Sequence, residues 1–298
     1  MVYYKNNHRH KKSLLKTYSE NFLIAIKSII NRLHRKNTET FLFYPQYPSR
    51  RSVIYKILNH LHYNITNNPA RKHQHIVYWD DTTYRKPDKK MSMMTKQNEV
   101  INKNCTDISK SKVEKVFHKV FGYSYSIECT SHHGKMVKKS EINASHDGTI
   151  ITGPVRPEKG YIYQKLINNS IDNELVADMR VPVINGMIPF IFLKYKPRKN
   201  RFAHYRKTRH KRKAVERYQA HELLSEEEIK KTISFCEKIG LDYGEVDILR
   251  DNDNKKIYII DVNNTPNGPP GMRAIRKKEN IAIMADTFAE SFLKTEAP

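Results

Sequence analysis

Two neighbouring segments in the C-terminal third of the chain constrain the fold more than any other feature. Residues 244–249 read Gly-Glu-Val-Asp-Ile-Leu, and residues 259–266 read Ile-Ile-Asp-Val-Asn-Asn-Thr-Pro. The turn-forming residues between them predict a β-hairpin. Side chains alternate between the two faces of a strand, so pairing these strands can bring Asp247, Asp261 and Asn263 together. The intervening valine and isoleucine residues would then enter a core on the opposite face.

The polar residues of this hairpin predict a metal site. An ordinary hairpin with exposed acids would explain Asp251 and Asp253 in the turn. It does not explain Asp261 and Asn263, because Asp and Asn are poor strand residues and here they interrupt an apolar strand. Two carboxylates and an amide are hard oxygen ligands of the kind that Mg²⁺ prefers, with nucleotide phosphates completing its octahedron.

Charge and cysteine content limit the classes of protein. The 54 Lys and Arg residues exceed the 31 Asp and Glu residues by 23. This excess either indicates an anionic partner such as nucleic acid, acidic lipid or a polyanionic substrate, or reflects only a composition rich in Lys, Asn and Ile. The apolar runs are shorter than the roughly 18 residues of a membrane-spanning helix. Three cysteines without CxxC spacing predict neither a disulfide framework nor a zinc site. With no secretory signal evident, we expect a cytoplasmic protein.

Hydrophobic periodicity predicts an α+β protein. Helices are predicted at residues 20–34, 52–62, 109–121, 226–239 and 279–293, and strands at residues 41–44, 75–79, 135–138, 149–152, 160–167, 181–184, 187–193, 245–249 and 257–262. Ser225 and Gly240 cap the fourth of these helices. Asn185-Gly186 predicts a type I′ hairpin turn. The β-α-β order at residues 40–82 indicates a small α/β unit, and residues 83–100 have the composition of a linker.

The acid-bearing hairpin resembles the metal-binding end of the ATP-grasp ligases, a family that includes the D-alanine–D-alanine ligases. The resemblance covers about residues 102–270 and implies two α+β subdomains that clamp Mg-ATP, an ATP-grasp fold. By this resemblance Asp247, Asp261 and Asn263 hold the magnesium ions that bridge the ATP phosphates. Many relatives carry Glu where this chain has Asp261, and the two acids are equivalent as ligands. We expect residues 1–100 to form a basic extension and the small α/β unit, and residues 101–298 to form the ATP-grasp domain.

The resemblance also implies phosphate-binding residues, in the order of the family. Lys112 and Lys138 would contact the nucleotide phosphates. In the first of these segments Lys112 is preferred over Lys110. Arg180 would stabilise the transferred phosphate, since a planar guanidinium binds phosphate oxygens bidentately. The polar loop of residues 140–148 has one glycine where many relatives have several. Hydrogen bonds from this loop to phosphate would therefore come from Asn143, Ser145 and His146.

The nucleoside would lie further along the chain. Residues 163–167 resemble the hinge strand that meets the adenine edge, which gives Gln164, Lys165 and Leu166 as nucleotide contacts. Asp172, eight residues after Gln164, would bind a ribose hydroxyl.

By resemblance the reaction is Mg-ATP-dependent formation of an amide from a carboxylate and an amine, through an acyl phosphate. The segments at residues 107–112 and 140–148 look like ATP-grasp proteins of bacterial surface-polysaccharide biosynthesis, which implies an anionic small-molecule or glycan acceptor such as a carboxylated sugar. Amino-acid addition to a peptide tail and simple phosphorylation are alternatives within the family. Arg198, Arg201 and the loop at residues 267–273 are candidate acceptor contacts.

Two other classes of protein stay open. Residues 194–213 contain eleven Lys and Arg residues, no acid and Tyr205, a pattern that a nucleic-acid-binding protein would also show. No recognised DNA- or RNA-binding motif accompanies this stretch. The basic segment at the N-terminus would also suit a scaffold in peripheral contact with a membrane surface.

Overall fold

Three β-sheets organise the molecule in a computed structural model that describes residues 39–202, 215–268 and 274–293. The helix predicted at residues 20–34 and most of the basic stretch lie outside these residues. The strands are β1 (Thr40–Pro45), β2 (Asn64–Thr66), β3 (His75–Trp79), β4 (Val100–Ile101), β5 (Gly134–Ser140), β6 (Thr149–Gly153), β7 (Tyr161–Lys165), β8 (Leu175–Ile184), β9 (Ile191–Pro197), β10 (Val215–Tyr218), β11 (Tyr243–Arg250) and β12 (Ile257–Asn263). The α-helices are α1 (Val53–His60), α2 (Lys89–Gln97), α3 (Lys110–Phe121), α4 (Ala220–Leu223), α5 (Glu226–Ile239) and α6 (Ala274–Phe292).

The first sheet is parallel, in the order β2-β1-β3-β4, and we call residues 39–101 the N-terminal unit. Its β-α-β start confirms the predicted α/β unit. The linker predicted at residues 83–100 is wrong, because this segment contains α2. Asp88 caps α2 by accepting the backbone N–H of Met91 at 2.7 Å, and Met91 is buried. Most of α2 is polar, so its helical pattern is weak in the sequence.

The second sheet has the order β10-β9-β8-β11-β12, and all its neighbouring strands are antiparallel. Asn185 and Gly186 both have positive φ, 45° and 76°, as the predicted type I′ turn between β8 and β9 requires. Strand β8 is longer than predicted, since it begins at Leu175, and β9 lies four residues later than predicted, from Ile191 to Pro197. The first residues of the basic stretch are therefore strand residues, and Lys194 is buried.

Helices α3 and α5 cover one face of the second sheet. Their apolar residues, including Phe117 and Phe235, share one core with Val246 and Val262 of the strands. The predicted capping box of Ser225 and Glu228 is present at the start of α5. Gly240 ends this helix with φ 79°, and a Cβ there would lie 2.5 Å from the backbone of Asn104. Both ends of α5 therefore follow from local sequence.

A second core joins the two ends of the described chain. Phe41 of β1 packs against Phe288 of α6, with ring centroids 5.9 Å apart. The same core contains Phe190 and Tyr243 of the second sheet, so α6 and the N-terminal unit are packed together on that sheet. Asn102 adds a polar link, since its side chain accepts the N–H of Tyr243 at 2.9 Å and donates to the Tyr243 carbonyl at 2.7 Å.

The third sheet is antiparallel, in the order β6-β5-β7, and residues 141–148 connect β5 to β6. Among the helices that the structure describes, none is long and apolar enough to cross a membrane.

Candidate active site

A cavity of about 640 Å³ lies where the N-terminal unit meets the second and third sheets. Its walls come from the 141–148 loop, from β8, β9, β11 and β12, and from the segment that follows β12. Its charged lining residues are the cations Arg51, Lys110, Lys139, Arg180, Lys194, Lys196 and Arg201 and the acids Asp81, Asp147, Asp178, Glu245, Asp247 and Asp261. A site with this many cations suits a polyanionic ligand, and its acids suit a metal ion or a second, cationic ligand.

The register of β11 and β12 brings the predicted metal ligands together. Asp247 lies opposite Asp261, and Glu245 lies opposite Asn263. Directly opposed residues on one face of an antiparallel pair have Cβ atoms about 4.5–5.5 Å apart. The register shifts after Asp247, leaving Ile260 as an extra residue that also lines the cavity. This β-bulge beside the acids is not visible in the sequence pattern.

Asp247 is tied to two cations, the partly exposed Arg180 and the buried Lys194. Arg180 lies opposite it on β8 and donates from Nε at 2.9 Å and from Nη2 at 2.8 Å, and Lys194 Nζ lies 2.9 Å away. Burial alone would raise the pKa of Asp247, but Arg180 and Lys194 outweigh it and hold that pKa well below its ordinary value. Asp247 is therefore ionised, and the fork of Arg180 is directed at a carboxylate.

Lys110 lies in the cavity and Lys112 does not line it. Lys110 Nζ donates to Asp261 at 2.6 Å and to the side-chain oxygen of Asn143 at 3.1 Å. The backbone N–H of Lys112 instead caps the start of α3 by donating to Ser109. The structure therefore places Lys110, which the sequence analysis ranked below Lys112, at the site.

Lys138 and Lys139 face opposite ways because they are adjacent on β5. Lys138 Nζ forms an ion pair with Glu158 and does not line the cavity, whereas Lys139 does. Burial, with the nearby charge of Lys110, lowers the pKa of Lys139 to about 7. The lysine in contact with the site is thus one residue beyond the predicted one.

The 141–148 loop, which we call the cover loop, contacts both the N-terminal unit and the second sheet. Asn143 donates from Nδ2 to the Val262 carbonyl at 2.9 Å and from its backbone N–H to Thr83 at 2.9 Å. At the other end, a Cβ on Gly148 would lie 2.8 Å from the Phe202 ring. His146 lines the cavity, as do Asn143 and Ser145. All three polar residues predicted for this loop therefore lie at the site.

The predicted nucleoside contacts lie outside the cavity lining. Gln164 is buried in β7, and Lys165 pairs with Asp251 at 2.6 Å. Leu166 directly follows β7, and Asp172 accepts the backbone N–H groups of the residues at 174 and 175. Asp251 itself is fully buried, unlike the exposed turn acid that an ordinary hairpin predicts.

Glu245 and Lys194 are site residues that the sequence analysis assigned no role. Strand alternation places Glu245 on the same face as Asp247, so its position was open to prediction. Burial raises the pKa of Glu245, with partial compensation from Arg180. Lys194 belongs to the basic stretch, and nothing in its local sequence distinguishes it from the other lysines there. Of the proposed acceptor contacts, Arg201 lines the cavity and Arg198 does not.

The donor set fits Mg²⁺ bound together with a nucleotide. Among the described residues, no group of three or more His, Cys, Asp or Glu side chains could hold a metal ion by itself. Asp247, Asp261 and Asn263 supply two carboxylates and an amide, and all three line the cavity. Mg²⁺ usually takes only one or two carboxylates and completes its shell with water and substrate phosphates. The cations around the cavity would meet those phosphates.

Residues 134–290, more than half of the chain, match the family model of the RimK-like ATP-grasp domain. The fold is similar to a solved structure of the ATP-grasp ligase PsnB, complexed with a phosphomimetic variant of its minimal precursor, Mg and ADP. The TM-score is 0.54 and the identity 10%, over 86% of this chain and 99% of that chain. PsnB complexed with the precursor peptide PsnA2 and AMPPNP gives a TM-score of 0.52 and 11% identity over 86% of this chain and 98% of that chain. No curated protein sequence matches significantly. At these identities the structural likeness establishes the fold, which is the predicted α+β clamp.

Proposed function

The chain belongs to the RimK-like ATP-grasp family of ATP-dependent ligases, with ATP and Mg²⁺ as cofactors, and from this premise we propose that it joins a carboxylate to an amine. In the first step an oxygen of the carboxylate attacks the γ-phosphorus of ATP, which gives an acyl phosphate and ADP. In the second step the amine nitrogen attacks the acyl carbon, the bond from that carbon to the phosphate oxygen breaks, and phosphate and a proton are released. The observation that carries the proposal is the meeting of Asp247, Asp261, Asn263 and Arg180 in one cation-rich cavity.

The residues have distinct roles in this proposal. Asp247, Asp261 and Asn263 would hold Mg²⁺, which neutralises charge on the phosphates. Lys110 and Lys139 would bind phosphate oxygens in place of the predicted Lys112 and Lys138, because their side chains line the cavity. Such preorganised cations stabilise the transferring phosphoryl group without any covalent step of their own.

Arg180 would stabilise the phosphate as it is transferred, and His146 would contact it from the cover loop. Arg180 Nη1 is not used in the two hydrogen bonds to Asp247, so the guanidinium retains donors for an incoming oxygen. The adenine contacts at Gln164, Lys165 and Leu166 and the ribose contact at Asp172 stay predictions. So do the boundaries that assign residues 1–100 to an N-terminal part and residues 101–298 to the catalytic domain.

We favour a peptide as the carboxylate substrate. The similar PsnB structures contain a precursor peptide or a minimal precursor, whereas nothing among the comparisons supports the predicted sugar or glycan. A peptide ligase would also account for an open, mixed-charge cavity, since peptides present both carboxylates and amines.

Thermal unfolding with and without Mg-ATP tests the proposed site. Ligand at 100 times its Kd stabilises the native state by about 2.7 kcal/mol, a rise in Tm of several degrees. The double variant Asp261→Asn/Asn263→Ala should lose this rise, while Asp286→Asn, an exposed acid on α6, should keep it. A wild-type protein whose Tm does not respond to Mg-ATP would contradict the proposal.

A second assay identifies the reaction. ADP release is measured across a panel of acidic peptides and sugar acids, each with and without an amine, and the products are weighed by mass spectrometry. Loss of water on joining the two substrates identifies a ligase, whereas gain of a phosphoryl group on one substrate identifies a kinase. Salt-sensitive binding to RNA without any response to ATP would favour the nucleic-acid alternative.

A further inference from the structure

Glu245 is a buried carboxylate that lines the cavity without a hydrogen bond. Its side chain is 1% exposed, and neither carboxylate oxygen accepts a hydrogen bond from any residue that the structure describes. Its nearest cation is Arg180, whose Nε lies 3.5 Å from Oε2, but that same N–H donates to Asp247 at 2.9 Å. Glu245 therefore lies near the positive charge of Arg180 but accepts no hydrogen bond from it.

The other charged groups around Glu245 are also engaged elsewhere. Lys194 Nζ donates to Asp247, and Lys56 of α1 donates to the carbonyl of Arg51. Lys56 influences Glu245 only through its longer-range charge. A buried carboxylate without donors is costly, since even one unsatisfied polar group costs about 1–3 kcal/mol. A residue of this kind inside a ligand cavity indicates that the ligand supplies the missing donors.

Glu245 lies one cross-strand row away from the pair formed by Asp247 and Asp261. Asp247 and Asp261 form one cross-strand row, and Lys110 and the cover loop contact Asp261 and the neighbouring Val262. Glu245 forms the next row with Asn263, displaced along the strand by two residues or about 6.6 Å. Ser49 and Arg51 of the N-terminal unit line the same cavity.

A cation with several N–H donors fits this position better than a further metal ion. The three acids Glu245, Asp247 and Asp261 do not converge into a metal-binding group among the described residues. An alkylammonium group carries three donors and one positive charge, and it can meet both oxygens of one carboxylate.

We propose that Glu245 binds the protonated amine of the acceptor substrate. This inference rests on the proposed ligase function and deepens it, because it assigns the residue that binds the acceptor amine. In the complex the ammonium donates hydrogen bonds to the carboxylate oxygens of Glu245. One proton then leaves to solvent, the nitrogen forms its bond to the acyl carbon as the carbon–oxygen bond to phosphate breaks, and the second proton leaves with the phosphate.

The test compares Glu245→Gln with Glu227→Gln, an exposed glutamate on α5 that serves as the matched control. The probes are Nα-acetyl-lysine amide and its norleucine analogue, which lacks the amine. Binding is followed by saturation-transfer NMR in the presence of Mg-AMPPNP. We expect the lysine probe to bind the wild type and Glu227→Gln alike and to bind Glu245→Gln about 10- to 100-fold more weakly. The norleucine probe should bind none of them.

Four results would overturn the proposal: no binding of the lysine probe to the wild type, equal binding of both probes, unchanged binding to Glu245→Gln, or loss of the Mg-ATP-induced rise in Tm in Glu245→Gln. The last result would mark Glu245 as part of the metal site. The Tm rise of the wild type is measured in parallel, so failure of the ligase proposal is recognised separately. Because glutamine keeps the shape of glutamate and removes a buried charge, its variant should fold, and its unliganded Tm verifies this.

Discussion

Replacing Lys139 by methionine tests which of two adjacent lysines binds the nucleotide. The pKa of Lys139 is lowered to about 7 by burial and then by Lys110, so in the free protein at pH 8 about nine-tenths of the molecules carry a neutral amine there. A bound triphosphate favours the ammonium form and raises this pKa. Mg-ATP binding at pH 8 should therefore take up close to one proton. Above pH 7 the apparent affinity should fall by up to about tenfold per pH unit, until the pKa of the complex is reached.

Calorimetric titration at pH 8 in two buffers of different ionisation enthalpy measures this uptake. In Lys139→Met the proton uptake should disappear and the affinity should fall about 10- to 100-fold, the range for a lost charged hydrogen bond. Lys138→Met is the matched control, because Lys138 pairs with Glu158 outside the cavity lining, and it should behave like the wild type. The reasoning fails if the wild type takes up no proton, or if Lys138→Met abolishes the uptake while Lys139→Met does not.

Two further substitutions address the cover loop and the hairpin turn. Gly148→Val places a side chain where a Cβ would already lie 2.8 Å from Phe202, so the loop should lift and Mg-ATP affinity should fall by the equivalent of about 1–3 kcal/mol. Adding Phe202→Ala should restore the affinity in calorimetric titrations, and failure to do so would contradict the contact. Asp251→Asn removes the charge that pairs with Lys165 at 2.6 Å and should lower the urea-unfolding free energy by about 1.5–3 kcal/mol. Despite burial, the pKa of Asp251 is held below its ordinary value by hydrogen bonding from Lys165, so wild-type stability from this pair is present above about pH 4 and is lost as the pH falls further. A variant as stable as the wild type at pH 7 would refute this account.

The parts of the fold that were predicted from sequence are those set by short-range pattern. The alternation of Asp261, Val262 and Asn263 defines which residues share a face, and the structure pairs them with β11 as that pattern requires. The ends of α5 depend on Ser225 and Gly240, both of which act within one helical turn. Such features are visible in a single sequence.

The differences between the residues predicted for the site and those that line the cavity have long-range causes. Lys138 and Lys139 are chemically alike and adjacent, so the choice between them depends on which face of β5 meets the second sheet. The choice between Lys110 and Lys112 likewise depends on how α3 is oriented against Asp261, 151 residues further along the chain. Asp251 looks like a turn acid until the distant Lys165 is placed beside it. The local sequence does not determine which face of each strand or helix meets the cavity, and that face selects among chemically similar residues.

The packing of α6 on the N-terminal unit has a consequence for synthesis of the protein. The apolar residues of β1 leave the ribosome early, but Phe41 is covered by Phe288 of the last helix. At about 5–20 residues per second, the interval between these two residues is on the order of tens of seconds. During that time the nascent N-terminal unit lacks part of its core and exposes an apolar surface suited to a chaperone. Strand β1 therefore completes its packing only after α6 has been made.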